Sequence, residues 1–128
     1  MAVSDLRKND MMAHLLDSLE AGKDIGHYGR LVFAMVARHF VSENELVKLL
    51  SKDKSFSEEE AKTLVAQVQS RDYNPPKRQK ILQFLEQQKF PICPDAENPD
   101  ACNVYKDLQF PEGVYARINE YYQQKAGV

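Results

Sequence analysis

Tryptophan is absent from this sequence of 128 residues, and cysteine and glycine are scarce, with two and five residues respectively. Two cysteines cannot form the disulfide framework of a small secreted domain, and alone they cannot supply the four thiolates of a structural zinc site or an iron–sulfur cluster. The sequence contains no Gly-rich phosphate-binding loop, no His-Glu-x-x-His motif and no Gly-x-Ser-x-Gly motif. We therefore assign no catalytic residue and expect no enzymatic activity.

Long hydrophobic runs are also missing. The longest uninterrupted apolar run extends from Leu31 to Ala37, far short of the roughly 20 residues that cross a bilayer. Residues 1–5 have neither the basic start nor the apolar core of a signal peptide. The length suits one domain. We therefore expect a single soluble domain in the cytoplasm, with no membrane partner.

The chain has no large excess of charge of either sign: 17 basic and 19 acidic residues give a net charge of −2. Proteins that coat nucleic acid along their whole surface are usually strongly basic, so this class is excluded. The balanced net charge does not exclude a local basic patch. Residues 71–89 contain five basic and two acidic residues. If a polyanion binds anywhere, we expect it to bind there.

Helical patterns dominate, and no stretch keeps the alternation of a β-strand. Ser42 followed by Glu45, and Ser57 followed by Glu60, are capping boxes that start helices. We expect Asp10 to cap the first helix and Gly22 to end it. The predicted helices span residues 11–21, 24–40, 43–50, 58–70 and 76–89, and a last helix begins at Pro111 and carries Val114, Tyr115, Ile118, Tyr121 and Tyr122.

These patterns predict an all-α fold, a compact bundle of about six helices with a Pro- and Cys-containing loop near the C-terminus. The loop, Phe90 to Cys102, contains three prolines. The domain is expected at residues 10–124, with a tail at residues 1–9. The second helix is apolar on nearly every side, which is typical of a helix in the middle of a bundle. Its most buried positions are expected to be Leu31, Phe33, Val36 and Ala37.

The segment Gly26-His27-Tyr28-Gly29-Arg30 opens this apolar helix and is the first candidate site. His27 and Arg30 are three residues apart and share one helical face. The free N–H groups of a helix N-terminus favour an anion, and these side chains would strengthen that field. The residues alone support two interpretations equally: a phosphate site, or a helix start whose glycines permit close packing.

The two cysteines, Cys93 and Cys102, are separated by eight residues. The simplest interpretation is a pair of reduced, partly buried thiols or one incidental disulfide. A metal site would need further ligands such as His14 or Asp95, and the spacing matches no zinc ribbon. A metal- or redox-responsive regulator is therefore a third, less favoured class of function.

Taken in order, these features resemble the C-terminal domain of the large subunit of archaeal and eukaryotic DNA primase. In that family a His-x-x-Arg or similar motif opens a long apolar helix. A short helix, an aromatic–Thr/Asn–Pro–Pro–Ser–Cys turn, a Cys-rich loop and paired aromatics follow. The resemblance extends from about Met11 to Tyr122. The matching segments are Asp24 to Leu31, Glu43 to Leu50, Tyr73-Asn74-Pro75-Pro76, Ile92 to Cys102 and Tyr121-Tyr122.

The resemblance implies a non-catalytic accessory domain in DNA replication. Such a domain binds the template and the 5′-triphosphate end of a primer, or the initiating nucleotide, for a separate primase or polymerase subunit. It implies triphosphate contacts from His27 and Arg30, with Tyr28 or Tyr73 stacking on a base. Under this hypothesis, substituting His27 or Arg30 weakens binding and barely changes stability. The residues expected to follow the nucleic-acid backbone are Arg71, Lys77, Arg78 and Lys80.

Four cysteines hold a [4Fe–4S] cluster in that family, and this chain departs from the pattern at two of them. Lys77-Arg78 stand where the turn has Ser-Cys, and Met11-Met12 lie near the first cysteine position. Only Cys93 and Cys102 remain, so we expect no iron–sulfur cluster, metal or other cofactor. The alternative function is a helical protein-interaction module that has lost its nucleotide and cluster sites.

Overall fold

In a computed structural model that describes residues 3–94 and 98–116, every regular element is a helix, which confirms the all-α prediction. No strand occurs in these residues. The elements whose two ends both lie in the described residues are α1 (Val3–Leu6), α2 (Asp10–Glu20), α3 (Gly26–Ala37), α4 (Glu43–Leu50), α5 (Glu58–Ser70), α6 (Arg78–Leu85), a 3₁₀ helix (Pro99–Cys102) and α7 (Val104–Asp107).

Helices α4 and α5 have the predicted bounds because their N-caps act as expected. The Ser57 hydroxyl accepts a hydrogen bond from the Glu60 amide at 3.1 Å, and the Glu60 carboxylate accepts one from the Ser57 amide at 3.1 Å. The Ser42 hydroxyl accepts from the Glu45 amide at 3.2 Å, which is the N-cap half of the capping box predicted for α4. Caps of this kind pair N–H groups that a helix start leaves without a partner.

The chain start differs from the prediction, since α2 is capped by Asn9 rather than Asp10. The Asn9 side chain accepts from the Met12 amide at 3.1 Å and donates to the Asp107 carboxylate at 3.0 Å. Leu6 and Asn9 are completely buried. Residues 3–9, which we expected to be a tail, therefore contribute to the packed interior and link α2 to α7.

Helices α3 and α6 are shorter than predicted at both ends. Asp24 lies outside α3, because its carboxylate accepts from the Gly26 amide at 2.9 Å and Gly26 has a φ of 79°. Helix α6 begins at Arg78 rather than at Pro76, and its N-cap Lys77 has an extended backbone. Both helices therefore start later than the apolar pattern indicates. In α3 the cause is the positive φ of Gly26, and in α6 it is the pair of prolines before Lys77.

Helix α3 lies in the middle of the bundle, as its composition predicts, and packs against α2, α4, α5 and α6. Phe33, Val36 and Ala37 are completely buried. Leu31 is only partly buried, contrary to expectation, and is part of the groove described below. Despite this apolar centre, none of the described helices is long and apolar enough to span a membrane.

Aromatic side chains around Phe110 pack the described end of the chain, residues 104–116. The Phe110 ring contacts Phe40, with 5.5 Å between ring centroids, and Tyr105, at 5.3 Å. Residues 112–116 are helical, consistent with the predicted last helix, and Val114 is buried. The other predicted residues of that helix lie outside the described residues: Ile118, Tyr121 and Tyr122.

Candidate nucleic-acid interface

The first turn of α3, predicted as a phosphate site, is closed by acceptors from the protein itself. The buried Asp53 carboxylate accepts from the Ile25 amide at 3.1 Å, and Asp24 accepts from the Gly26 amide. The Gln88 side-chain oxygen accepts from the Tyr28 amide at 3.0 Å. Three N–H groups that an anion would use at this helix start are therefore already bonded.

Arg30 belongs to the same closed arrangement. Its Nη1 donates to Asp53 Oδ2 at 3.0 Å and to Asp24 Oδ1 at 3.1 Å, and its guanidinium lies 4.4 Å from the centre of the Phe56 ring. The side chain is 14% exposed. Because two carboxylates already neutralise it, this geometry does not support Arg30 as a triphosphate ligand. Arg30 holds α3 against the loop that follows α4, so its loss should destabilise the fold, contrary to the sequence-based expectation.

Tyr28 also makes internal contacts. Its hydroxyl donates to the Gln87 side-chain oxygen at 2.8 Å, and its ring stacks on Phe84 with 4.7 Å between centroids and 17° between planes. Its amide is held by Gln88. These contacts occupy the Tyr28 hydroxyl and one face of its ring, and Phe84, which is buried, lines the adjacent groove.

A groove of about 610 Å³ lies between α3, α5 and α6 and brings together three of the predicted site residues, His27, Lys77 and Lys80. Tyr73, the other aromatic side chain predicted to stack on a base, also lines it. The lining residues that the sequence analysis did not identify are Leu31, Met35, Leu64, Gln67, Asn74, Pro76, Gln79, Gln83 and Phe84.

The groove is lined by basic, aromatic and apolar side chains. None of the described residues that line it is acidic, whereas Lys77 and Lys80 are both cationic and exposed. The Lys80 ammonium lies 5.4 Å from the centre of the Phe84 ring. A ligand with a flat apolar body and a negative charge would match this combination, because aromatic faces bind the body and ammonium groups bind the charge.

The turn that carries Tyr73 is fixed by a buried arginine. Arg38 Nη2 donates to Asp72 Oδ1 at 2.7 Å and to the Tyr73 carbonyl at 2.8 Å, although Asp72 has the uncommon φ of 51°. Arg71 donates to the Tyr73 hydroxyl at 3.3 Å. Arg71 and Arg78 are exposed beside the groove and do not line it. Of the four residues predicted to contact the nucleic-acid backbone, only Lys77 and Lys80 therefore line the groove.

A second cleft of about 350 Å³ adjoins the groove and shares its His27, Leu64 and Gln67. This cleft brings His27 together with Arg30 and, unlike the groove, is also lined by two acidic residues, Glu59 and Glu60. His27 therefore stands at the boundary between a basic and an acidic surface. A phosphodiester chain is attracted to the first and repelled by the second.

The cysteine loop forms no metal site in the described part of the chain. There, no three or more His, Cys, Asp and Glu side chains gather as metal ligands would. The His14 ring stacks on Phe90 at 5.4 Å, and its Nε2 lies 2.8 Å from the Pro91 carbonyl oxygen, with which it forms a hydrogen bond. Asp95, the other candidate ligand, lies outside the described residues.

Acid sensitivity at the start of α3 is the first expected result. The hydrogen bond from the Gly26 amide, with help from Arg30, holds the pKa of Asp24 below its ordinary value of 3.8. A carboxyl whose pKa is lower in the folded than in the unfolded state stabilises the fold at pH values above the unfolded-state pKa. This contribution is lost as the pH falls through the folded-state pKa. We expect Asp24→Asn to lose less stability than wild type between about pH 5 and pH 2.5. Urea unfolding at several pH values measures this, and equal losses would contradict it.

Comparison of the chain with protein-family models, with curated proteins and with solved structures found no match in any of the three.

Proposed function

We propose that this domain is a non-catalytic accessory module of primer synthesis that binds nucleic acid at the groove between α3, α5 and α6. The observation that carries the proposal is the lining of the groove. Lys77, Lys80 and His27 stand beside Tyr73 and Phe84 without an acidic neighbour in that lining. The order of the sequence motifs, which resembles the large-subunit domain of primase, supports the link to a separate catalytic primase or polymerase subunit.

Each part of the groove has a role in this proposal. The ring of Tyr73 provides a face on which a base stacks, a contact worth about 1–3 kcal/mol per base, and the buried Phe84 adds to the apolar lining. Lys77 and Lys80 pair with phosphates, and Arg71 and Arg78 extend the positive surface beyond the groove. The side-chain amides of the lining can donate to and accept from base edges. These are Gln67, Asn74, Gln79 and Gln83.

The acidic cleft next to the groove favours a strand end over a continuous strand. A strand that ran through both would bring its phosphates against Glu59 and Glu60, where repulsion disfavours them. A strand that ends at His27 avoids this. The proposal therefore keeps a role for the 5′ end or the initiating nucleotide, with His27, Lys77 and Lys80 in place of Arg30 as the phosphate contacts.

Competition between three single-stranded DNAs of equal sequence tests this role. A labelled oligonucleotide is displaced by a 5′-triphosphate form, by a 5′-hydroxyl form, and by a ligated circle without ends. We expect the triphosphate form to compete best and the circle worst. Equal competition by the two linear forms would contradict a triphosphate contact. Equal competition by the circle would contradict binding of an end altogether.

A protein-interaction module is the second candidate function, favoured by the floor of the same groove. Leu31, Met35 and Leu64 are partly buried and form an apolar strip along it. Apolar strips of this kind accept amphipathic helices. Salt separates the two functions, because phosphate contacts lose affinity steeply between low and physiological salt, whereas an apolar helix contact does not.

A further inference from the structure

Cys93 and Cys102 form a buried pair that the proposed function does not use. Cys93 follows α6 and is 4% exposed, and Cys102 ends the 3₁₀ helix and is completely buried. No disulfide joins them. Their side chains are nevertheless within hydrogen-bonding distance of each other. The fold thus holds two thiols in contact although eight residues separate them in sequence.

In the closed fold, the reactive group nearest to each thiol is the other thiol. Ile92 and Ala101, next to the two cysteines in sequence, are buried and apolar. The hydrogen bond with Cys102, together with burial, raises the pKa of the Cys93 thiol, so a thiolate forms and meets an external oxidant only when this part of the fold opens locally. The described residues offer no third ligand with which the pair could hold a metal.

We propose that Cys93 and Cys102 are a redox modification site that forms a reversible intramolecular disulfide, with a small-molecule disulfide such as glutathione disulfide as the oxidant. One cysteine thiolate attacks the oxidant and releases one glutathione, which leaves a mixed disulfide on the protein. The second cysteine then attacks the protein sulfur of that mixed disulfide and releases the second glutathione. The sum is two protein thiols and one glutathione disulfide giving one protein disulfide and two glutathione thiols.

The geometry favours this product over a stable mixed disulfide. Contact between the thiols in the folded state gives the second step a high effective concentration, whereas in the unfolded chain the two cysteines must first meet. In the thermodynamic cycle of folding and oxidation, the free energy by which folding favours the disulfide equals the free energy by which the disulfide stabilises the fold. The 3₁₀ helix packs against α2 and α6, so the bond would join Cys93 to this helix where both already lie.

The test is the thiol–disulfide equilibrium of the full chain in glutathione redox buffers, with and without denaturing urea. The equilibrium is approached from the reduced and from the oxidised side, quenched with acid, and measured by mass spectrometry of the intact protein and its peptides. We expect a Cys93–Cys102 disulfide in monomers. We also expect its equilibrium constant to be at least about tenfold larger for the folded than for the unfolded chain. Cys93→Ser and Cys102→Ser serve as controls, and each should give at most a single glutathione adduct.

A thermal melt gives an independent measurement on the same samples. The oxidised chain should melt about 5–15 °C above the reduced chain, since closing this loop restricts mainly the unfolded state. Mixed disulfides as the main wild-type product, dimers linked between chains, or an equal or smaller equilibrium constant in the folded state would each overturn the proposal. Binding of oligonucleotides at the groove plays no part in this test, so its outcome is independent of the proposed function.

Discussion

Replacing Asp53 by alanine is expected to lower the free energy of unfolding by about 3–5 kcal/mol, the usual effect of removing one partner from a buried ion pair. Asp53 is 1% exposed and accepts from Arg30 at 3.0 Å, from the Ile25 amide at 3.1 Å and from the Ser55 amide at 2.8 Å. Its loss leaves two N–H groups and a largely buried guanidinium with one fewer acceptor each. The start of α3 and the loop after α4 lose their shared anchor.

Asp24→Ala is the matched control, because Asp24 pairs with the same Arg30 but its side chain is 49% exposed. Exposed ion pairs contribute about 0–1 kcal/mol, so this variant should remain close to wild type. In thermal melts we expect Asp53→Ala to fall by about 10–20 °C and Asp24→Ala by a few degrees at most. Similar small losses in both variants would contradict the role of Asp53 as the anchor of this site.

The double substitution Lys77→Glu and Lys80→Glu has the largest expected effect on binding. Each lysine offers a charge-assisted contact to phosphate worth about 1.5–3 kcal/mol, and reversing its charge adds repulsion. We expect the affinity for single-stranded oligonucleotides to fall by about a hundredfold or more. The melting temperature should change little, because both side chains are exposed. Fluorescence anisotropy with a labelled oligonucleotide measures the loss.

Lys48→Glu together with Lys52→Glu is the control with the same change in net charge. Both lysines are exposed on or just after α4, and neither lines the groove. This variant should lose much less affinity, since only the long-range field of the protein changes. Equal losses in the two double variants would mean that overall charge, and not the groove, governs binding.

Local signals predicted the helices well because they act over three or four residues. Ser42 and Ser57 set the starts of α4 and α5 through hydrogen bonds to their own third residues, and the sequence contains that pattern in full. The sequence pattern predicts a start at Asp24, but α3 begins at Gly26. Asp24 lies before the helix and accepts a hydrogen bond from the Gly26 amide. The place of Asn9 in the packed interior depends on its hydrogen bond to Asp107, 98 residues away, which the pattern of residues 1–9 does not reveal.

The site was predicted only in part, for a similar reason. His27 and Arg30 are equally plausible phosphate ligands in the sequence. In the structure, Arg30 is bonded to Asp53, 23 residues away, whereas His27 is exposed at the groove. Only the fold decides which of them is available to a ligand. The sequence does contain one signal of the groove: His27, Leu31 and Met35 recur at intervals of four and mark one face of α3.

The salt dependence of oligonucleotide binding tests the central claim most directly. The affinity of wild type and of the Lys77→Ala, Lys80→Ala double variant is measured from about 25 mM to 300 mM salt, and its logarithm is plotted against the logarithm of the salt concentration. Each phosphate contact on a single strand adds about 0.7 to the slope. If the groove binds phosphates through these two lysines, the variant has a slope shallower by about 1.4. Equal slopes, or wild-type protein that does not bind at low salt, would contradict the proposed function.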